Sequence, residues 1–200
     1  MKPLQELRQL LPPRRLTRTE AYVLAERQAT LLLSLANVTE APVPSTAISR
    51  LPFMTVAVRT PMASSGATQW IKPRWVVLLN GMDSIPRQRF SLGHEFKHVL
   101  DHKRANEIYG RSHTPTHHRE VEQLCDYFAA CFLMPRSWVK AAYYGGVQDV
   151  VALAEMFEVS LQAMQVRLLQ LGLIDPYARC SGIDNAYLRS RPVSPLEVAA

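Results

Sequence analysis

The sequence has no long apolar run and few cysteines. Its apolar stretches, such as TLLLSLA and WVVLL, are far shorter than the roughly 20 residues that a helix needs to cross a bilayer. The first residues show no apolar core followed by a small-residue cleavage site, so we expect no secretion signal. The 3 cysteines are an odd number and do not suggest a disulfide framework. We therefore expect a protein of the reducing cytoplasm with no membrane partner.

Negative charge is also scarce relative to positive charge, and the formal net charge is +6. Much of the excess lies near the start of the chain, at Arg8, Arg14, Arg15 and Arg18. Such a basic segment can meet nucleic acid, but no aromatic residues are interleaved with these arginines to form a stacking platform. We interpret residues 1–18 as a solvated basic N-terminal arm and expect no direct nucleic-acid binding.

The pattern of apolar residues predicts an α+β fold. Three short segments alternate like strands and follow one another closely, which favours a small three-stranded antiparallel sheet; they are FMTVAVRT, TQWI and RWVVLLN. Apolar residues at helical spacing, together with capping residues, predict helices over about residues 19–38, 84–102 and 114–134. A C-terminal helix pair follows, with a turn near Glu158 and with Ser160 as the cap of its second helix.

The stretch RFSLGHEFKHVLDH contains the pattern H-E-x-x-H as His94, Glu95 and His98. Residues four apart lie on one face of a helix, about 6 Å from each other, so both imidazoles can bind one ion. Zinc accepts such a pair, and Glu95 can then act as the general base toward a water molecule. The alternative is that both histidines are solvent-facing residues of an ordinary amphipathic helix.

The sequence offers two candidates for the third ligand. His102 repeats the four-residue step, but eight residues of helix rise about 12 Å, so we interpret it as a surface or outlying histidine. Glu122 on the next predicted helix borders the apolar face and would complete a His₂Glu set, which is known in catalytic zinc sites. Glu120 falls nearer to solvent. Asp126, one turn after Glu122, can accept the free ring N–H of a ligand histidine.

The remaining histidines lie in or near the loop before that helix. We interpret His113, His117 and His118 as surface residues. One of them, or Tyr109, can also stabilise a tetrahedral intermediate through a hydrogen bond, as catalytic sites for acyl transfer require. The sequence singles out none of the four for this role.

Three passages, in this order, resemble one known family, the ImmA/IrrE metallopeptidases with a zincin-like fold. They are WVVLLNGMDSIPRQRFSLGHEFKHVLDH, EVEQLCDYFAACFLMP and LAEMFEVSLQAMQVRLLQLGLI. By position, the resemblance implies that His94, His98 and Glu122 bind zinc and that Glu95 is the catalytic glutamate. Manganese or iron can replace zinc in such a site, because metal choice follows availability as well as affinity.

The sequence departs from the family pattern at a few positions. Cys125 stands where alanine is usual, and Phe96 and Lys97 stand where an aliphatic residue and glycine are common. None of them is a presumed ligand. We expect Lys97 to face away from the metal, so these departures concern helix contacts rather than catalysis.

The expected organisation has four parts: the basic arm, a zincin-like core over residues 19–140, the helix pair over residues 141–175 packed on that core, and an irregular tail over residues 176–200. The resemblance implies a cytoplasmic zinc endopeptidase. The substrate that it implies is a helix-turn-helix repressor encoded on a phage or another mobile element.

Two other functions stay open at this point. The helix pair is spaced like a DNA-binding helix-turn-helix, and its second helix would present Gln162, Gln165 and Arg167, with Leu161 and Met164 in the core. One arginine is a small phosphate footprint. The chain can also be a metal-dependent sensor without peptidase activity.

Overall fold

The computed structural model of the chain describes residues 3–110 and 114–175. Our interpretations of His113 and of the tail over residues 176–200 lie outside these ranges. The chain divides into two compact units, Met1–Arg167 and Leu168–Ala200. Of the second unit, the described residues complete the last helix and add a short turn.

The predicted α+β class with a zincin-like arrangement is confirmed. The strands are β1 (Met54–Arg59), β2 (Gly66–Ile71) and β3 (Arg74–Asn80). The helices of the described ranges are α1 (Pro3–Gln9), α2 (Arg18–Leu35), α3 (Thr46–Ser49), α4 (Ile85–Asp101), α5 (Ala105–Ile108), α6 (Pro115–Leu133), α7 (Arg136–Tyr144), α8 (Val150–Phe157) and α9 (Leu161–Gln170). None of these helices combines the length and the apolar character that crossing a membrane requires.

The sheet is mixed, and the expectation of a fully antiparallel sheet is wrong. The strand order is β1–β3–β2, with β1 parallel to β3 and β2 antiparallel to β3. After β1 the chain passes to the far edge, where β2 lies, and β3 then returns between the two. Alternation of apolar residues has the same period in either pairing, so it predicted the strands but not their partners.

One face of the sheet lies against α4. Trp75, Val77 and Leu79 alternate along β3 and are all buried, as strand residues pointing to one side must be. Helix α4 begins after Ser84, with a proline in its first turn, and continues to Asp101. The sheet therefore supports one side of the helix that carries the H-E-x-x-H pattern.

Helices α4 and α6 approach each other closely at Gly93. A Cβ atom at this position would lie 3.1 Å from Cβ and 3.2 Å from Cα of Ala129 on α6, which is tighter than ordinary van der Waals contact. Glycine therefore lets the two backbones come together with only one methyl group between them. This contact lies one residue before His94, so it brings the two helices together where the candidate ligands project.

The N-terminal segment packs on the rest of its unit instead of forming a free solvated arm. Leu7 and Leu11 are buried. The Arg8 guanidinium donates to the backbone oxygens of Val99 at 2.6 Å and Leu100 at 3.3 Å, near the end of α4. The segment packs because burying its apolar side chains is more favourable than keeping one arginine in water. Three further arginines of the segment stay exposed: Arg14, Arg15 and Arg18.

The C-terminal helices α8 and α9 form as predicted, but α9 buries and exposes different side chains from those expected. Ser160 caps α9 by accepting from the backbone N–H of Ala163 at 3.1 Å. Arg167 is 1% exposed, and its Nε donates to the backbone oxygen of Met134 at 3.0 Å. The expectation that Arg167 is presented to solvent is therefore wrong. Leu161, expected in the core, is 45% exposed.

Candidate metal centre

Three side chains from two helices converge on one point. Helix α4 supplies His94 and His98, whose Nε2 atoms lie 3.3 Å apart. Helix α6 supplies Glu122, whose carboxylate oxygens lie 3.1 Å from Nε2 of His94 and 3.4 Å from Nε2 of His98. The structure thus brings together the two histidines and the distant glutamate that the sequence singled out.

The other ring nitrogen of each histidine faces a different neighbour on α6. Nδ1 of His94 lies 2.8 Å from Oδ1 of Asp126, a hydrogen-bonding distance. Nδ1 of His98 faces the sulfur of Cys125 at 3.8 Å. Both rings are therefore oriented with Nε2 toward Glu122. A carboxylate on the far ring nitrogen is the usual way in which proteins fix the tautomer of a metal-binding histidine.

Cys125 forms a second possible donor set with the same histidines, which the sequence did not predict. Ligand atoms of His94, His98 and Cys125 all lie within 4.8 Å of one another. Burial raises the pKa of Cys125 well above its usual value, and the charge of Asp101 adds to the effect. A metal binds the thiolate, so binding through Cys125 would require the loss of a proton that burial disfavours. Its position three residues after Glu122 on one helix is the signal that could have revealed it.

The charges around the histidine pair favour a cation. Burial alone would lower the pKa of His94, but the hydrogen bond and charge of Asp126, followed by the charges of Glu122 and Glu95, raise it overall. Burial lowers the pKa of His98 despite the nearby Glu122 carboxylate. His98 therefore keeps a free lone pair at neutral pH. His94 lies among negative charges that stabilise a positive charge.

Glu95 points to the edge strand of the sheet and not into the cluster of nitrogen atoms. Its Oε2 accepts a hydrogen bond from the hydroxyl of Thr68 on β2 at 2.6 Å. Gly66, two residues earlier on β2, would place a Cβ atom only 2.9 Å from Cγ of Glu95. Both β2 residues were missed in the sequence. The available signal was a glycine and a threonine at alternate strand positions. It predicts contacts with Glu95 only when β2 is known to lie beside α4.

The other candidate residues lie elsewhere in the structure. His102 follows the last residue of α4, and its ring contacts the Trp75 ring. The Tyr109 hydroxyl donates to Asp101 at 2.7 Å and accepts from Lys97 at 3.1 Å, and burial raises its pKa far above the usual value. His117 lines a cavity together with Tyr109. His118 is exposed.

Comparisons with known proteins identify a family and a similar fold. Residues 37–169 match the sequence profile of the family described as IrrE N-terminal-like domain (Peptidase_M78). The fold is similar to that of a Mycobacterium tuberculosis transcriptional regulator, with 17% identity, a TM-score of 0.58 and coverage of 83% of this chain and 52% of that chain. This chain thus spans about half the length of that regulator. None of the curated proteins compared with this chain matches it.

Proposed function

Because the chain belongs to the family of IrrE N-terminal-like metallopeptidases, as its three motifs predicted, we propose that it is a zinc-dependent endopeptidase that cleaves a protein. One observation carries the proposal. Two histidine nitrogens and a carboxylate meet at 3.1–3.4 Å, beside a glutamate that is held at the edge of the sheet. Family membership gives the class of activity, and this arrangement gives the residues.

We assign the metal to His94, His98 and Glu122, which offer two nitrogens and one oxygen, a set that zinc binds in catalytic sites. Asp126 orients the ring of His94. Cys125 lies beside Nδ1 of His98, the side of the ring away from Glu122, so it positions this ring and does not bind the ion. A bound divalent ion supplies Lewis acidity, which polarises a carbonyl and acidifies water. Manganese or iron fits the same donors.

Glu95 is the proton carrier in this proposal. A carboxylate beside the metal ligands can take a proton from the attacking water and deliver it to the leaving amine. The Thr68 hydroxyl fixes the position of one carboxylate oxygen, and the absence of a side chain at Gly66 gives the carboxylate room against β2. The residues that hold Glu95 therefore belong to the sheet, and those that hold the metal belong to the helices.

The free edge of β2 is the proposed binding place for the substrate. In the sheet order β1–β3–β2, this strand pairs with β3 alone among the residues that the structure describes. An extended peptide can add to such an edge through backbone hydrogen bonds, which places it alongside Glu95. The proposed substrate is a helix-turn-helix repressor, as the family resemblance implies, and the proposed place of action is the cytoplasm, where Cys125 and Cys131 stay free.

The decisive experiment uses the metal-loaded protein and, as substrate, the helix-turn-helix repressor that the proposal expects to be encoded beside this chain. We expect the wild type to cleave the repressor and Glu95→Gln to be about 100- to 10,000-fold slower, because a general base contributes that much. Metal content, measured on the same preparations, should not change. Glu155→Gln, an exposed carboxylate on α8, is the matched control and should cleave normally.

The same experiment separates the peptidase from a metal-dependent sensor. A sensor without peptidase activity would leave the repressor intact with both wild type and Glu95→Gln. Equal cleavage by the two proteins would exclude Glu95 from the reaction. The DNA-binding alternative loses the one arginine that α9 was expected to offer to a phosphate, because Arg167 is buried and bound to the oxygen of Met134.

A further inference from the structure

An aromatic group lies on the edge strand just beyond the candidate centre. Trp70 on β2 pairs with Trp75 on β3, and their ring centroids are 5.3 Å apart. The other neighbour of Trp75 is the ring of His102, in edge contact at 4.6 Å. Trp75 is 6% exposed, whereas Trp70 is 45% exposed and His102 is also exposed. Two exposed rings therefore contact one buried ring.

Trp70 lies on the same face of β2 as Thr68, and His102 follows His98 at the end of α4. The aromatic group is therefore next to the candidate centre. Side chains two apart point to the same face of a strand, so Trp70 shares its face with Thr68, about 7 Å further along β2. His102 follows His98 by four residues, a rise of about 6 Å along the helix axis. Strand β2 contacts α4 near the centre through the hydrogen bond between Thr68 and Glu95. At the aromatic end, Trp75 of β3 contacts both Trp70 and His102.

We propose that Trp70, Trp75 and His102 form a specificity subsite that binds one large, neutral apolar side chain of the substrate within about two residues of the cleaved bond. This inference rests on the proposed peptidase function. A peptide added to the edge of β2 points alternate side chains toward α4, so a residue opposite Trp70 meets these rings. Burying an apolar side chain against aromatic rings favours binding through the hydrophobic effect.

The local charge decides which side chains fit. Burial, together with the positive charges of Lys103 and Arg8, lowers the pKa of His102, so its ring is neutral at neutral pH. A charged side chain would lose its hydration against these rings and this neutral imidazole, a cost that an apolar side chain does not have. The subsite therefore selects phenylalanine, leucine or methionine and rejects basic residues.

The test uses mixtures of blocked peptides in which one position at a time is fixed and the others vary. We expect the metal-loaded wild type to prefer a large apolar residue at one position next to the cleaved bond. Trp70→Ala and His102→Ala should each lower kcat/KM for these peptides by roughly tenfold, as loss of an apolar pocket contact does, and leave peptides with alanine at that position unchanged. Ile71→Ala is the matched control, because Ile71 is 52% exposed on the opposite face of β2.

The outcomes distinguish the subsite from the peptidase activity. Cleavage without an apolar preference overturns the subsite, and so does an equal loss in Ile71→Ala. If the wild type cleaves neither the repressor nor any peptide, the peptidase proposal fails, and a binding measurement then decides the subsite. N-acetylphenylalanine amide should shift the indole N–H resonance of Trp70, assigned by Trp70→Phe, more than N-acetylalanine amide does. Equal effects of the two amides would overturn the subsite.

Discussion

Helix α4 carries two polar clusters on different sides, and they differ in how their charges are balanced. The buried cluster centres on Lys97, which is 0% exposed. Its ammonium donates to Gln28 at 2.8 Å, to Asp101 at 2.9 Å and to Tyr109 at 3.1 Å. An ammonium has three N–H donors, and each has one acceptor here. This cluster joins α4 to α2 and to the residue that follows α5.

The cluster around His94 has no such balance. Nitrogens of His94 and His98 face each other, and both face Glu122. Two imidazole nitrogens at this separation share at most one proton, so a cation between them and the carboxylate satisfies all three groups better than hydrogen bonds among themselves. Polar groups whose donors and acceptors pair within the protein thus hold the fold together. Convergent groups without such pairing are available to a ligand.

The largest expected effect comes from breaking the buried cluster. Lys97→Met leaves the buried Asp101 carboxylate without its cation, and we expect a loss of about 3–5 kcal/mol in the free energy of unfolding. Urea denaturation of the metal-free protein measures it. The double variant Lys97→Met with Asp101→Asn removes both charges and should lose less than the single one. A single variant within about 1 kcal/mol of wild type would contradict the structural role of Lys97.

A smaller effect is expected from weakening the orientation of a proposed ligand. Asp126→Asn keeps the size of the side chain but removes the charge that faces Nδ1 of His94 at 2.8 Å. We expect zinc affinity to fall about 10- to 100-fold, with little change in the stability of the metal-free protein. Competition with a chelator measures the affinity. Glu120→Gln on the same helix is the control, and an equal effect there would mean that only the overall charge matters.

The smallest effect concerns a third cluster, at the start of α2, that lies in solvent. The pKa of Glu20 is lowered to about 2 from 4.5 by its hydrogen bond with Arg14 and by its bonds from Thr17. A lowered carboxyl pKa adds stability that is present above pH 4.5 and is lost as the pH falls toward 2. The urea midpoints of wild type and Glu20→Gln should therefore differ at neutral pH and converge in acid. A pH-independent difference would show that the ionised carboxylate is not the cause.

The local parts of the fold were predictable from sequence. Helices α4 and α6 follow from apolar spacing and caps, and the pairing of His94 with His98 is a property of one helix. The choice of Glu122 needed only the additional assumption that α4 and α6 are neighbours, which the structure confirms. That these residues bind metal stays a prediction.

The non-local parts were not predictable. The parallel pairing of β1 with β3 depends on which edge the chain reaches first, and no local pattern encodes it. The contact between Thr68 and Glu95 depends in turn on that strand order. Arg8 reaches the end of α4 because Leu7 is drawn into the core, whereas composition alone suggested a solvated basic segment.

The close contact of Gly93 with Ala129 bears on the affinity of the proposed metal site. The contact between the two backbones sets the spacing of the proposed donors when the chain folds. Little conformational entropy therefore remains to be lost when a metal binds. The stability of the fold and the affinity for metal then both depend on the interface between α4 and α6. A substitution that separates these helices by one methyl group should lower the melting temperature of the metal-free protein and its zinc affinity together.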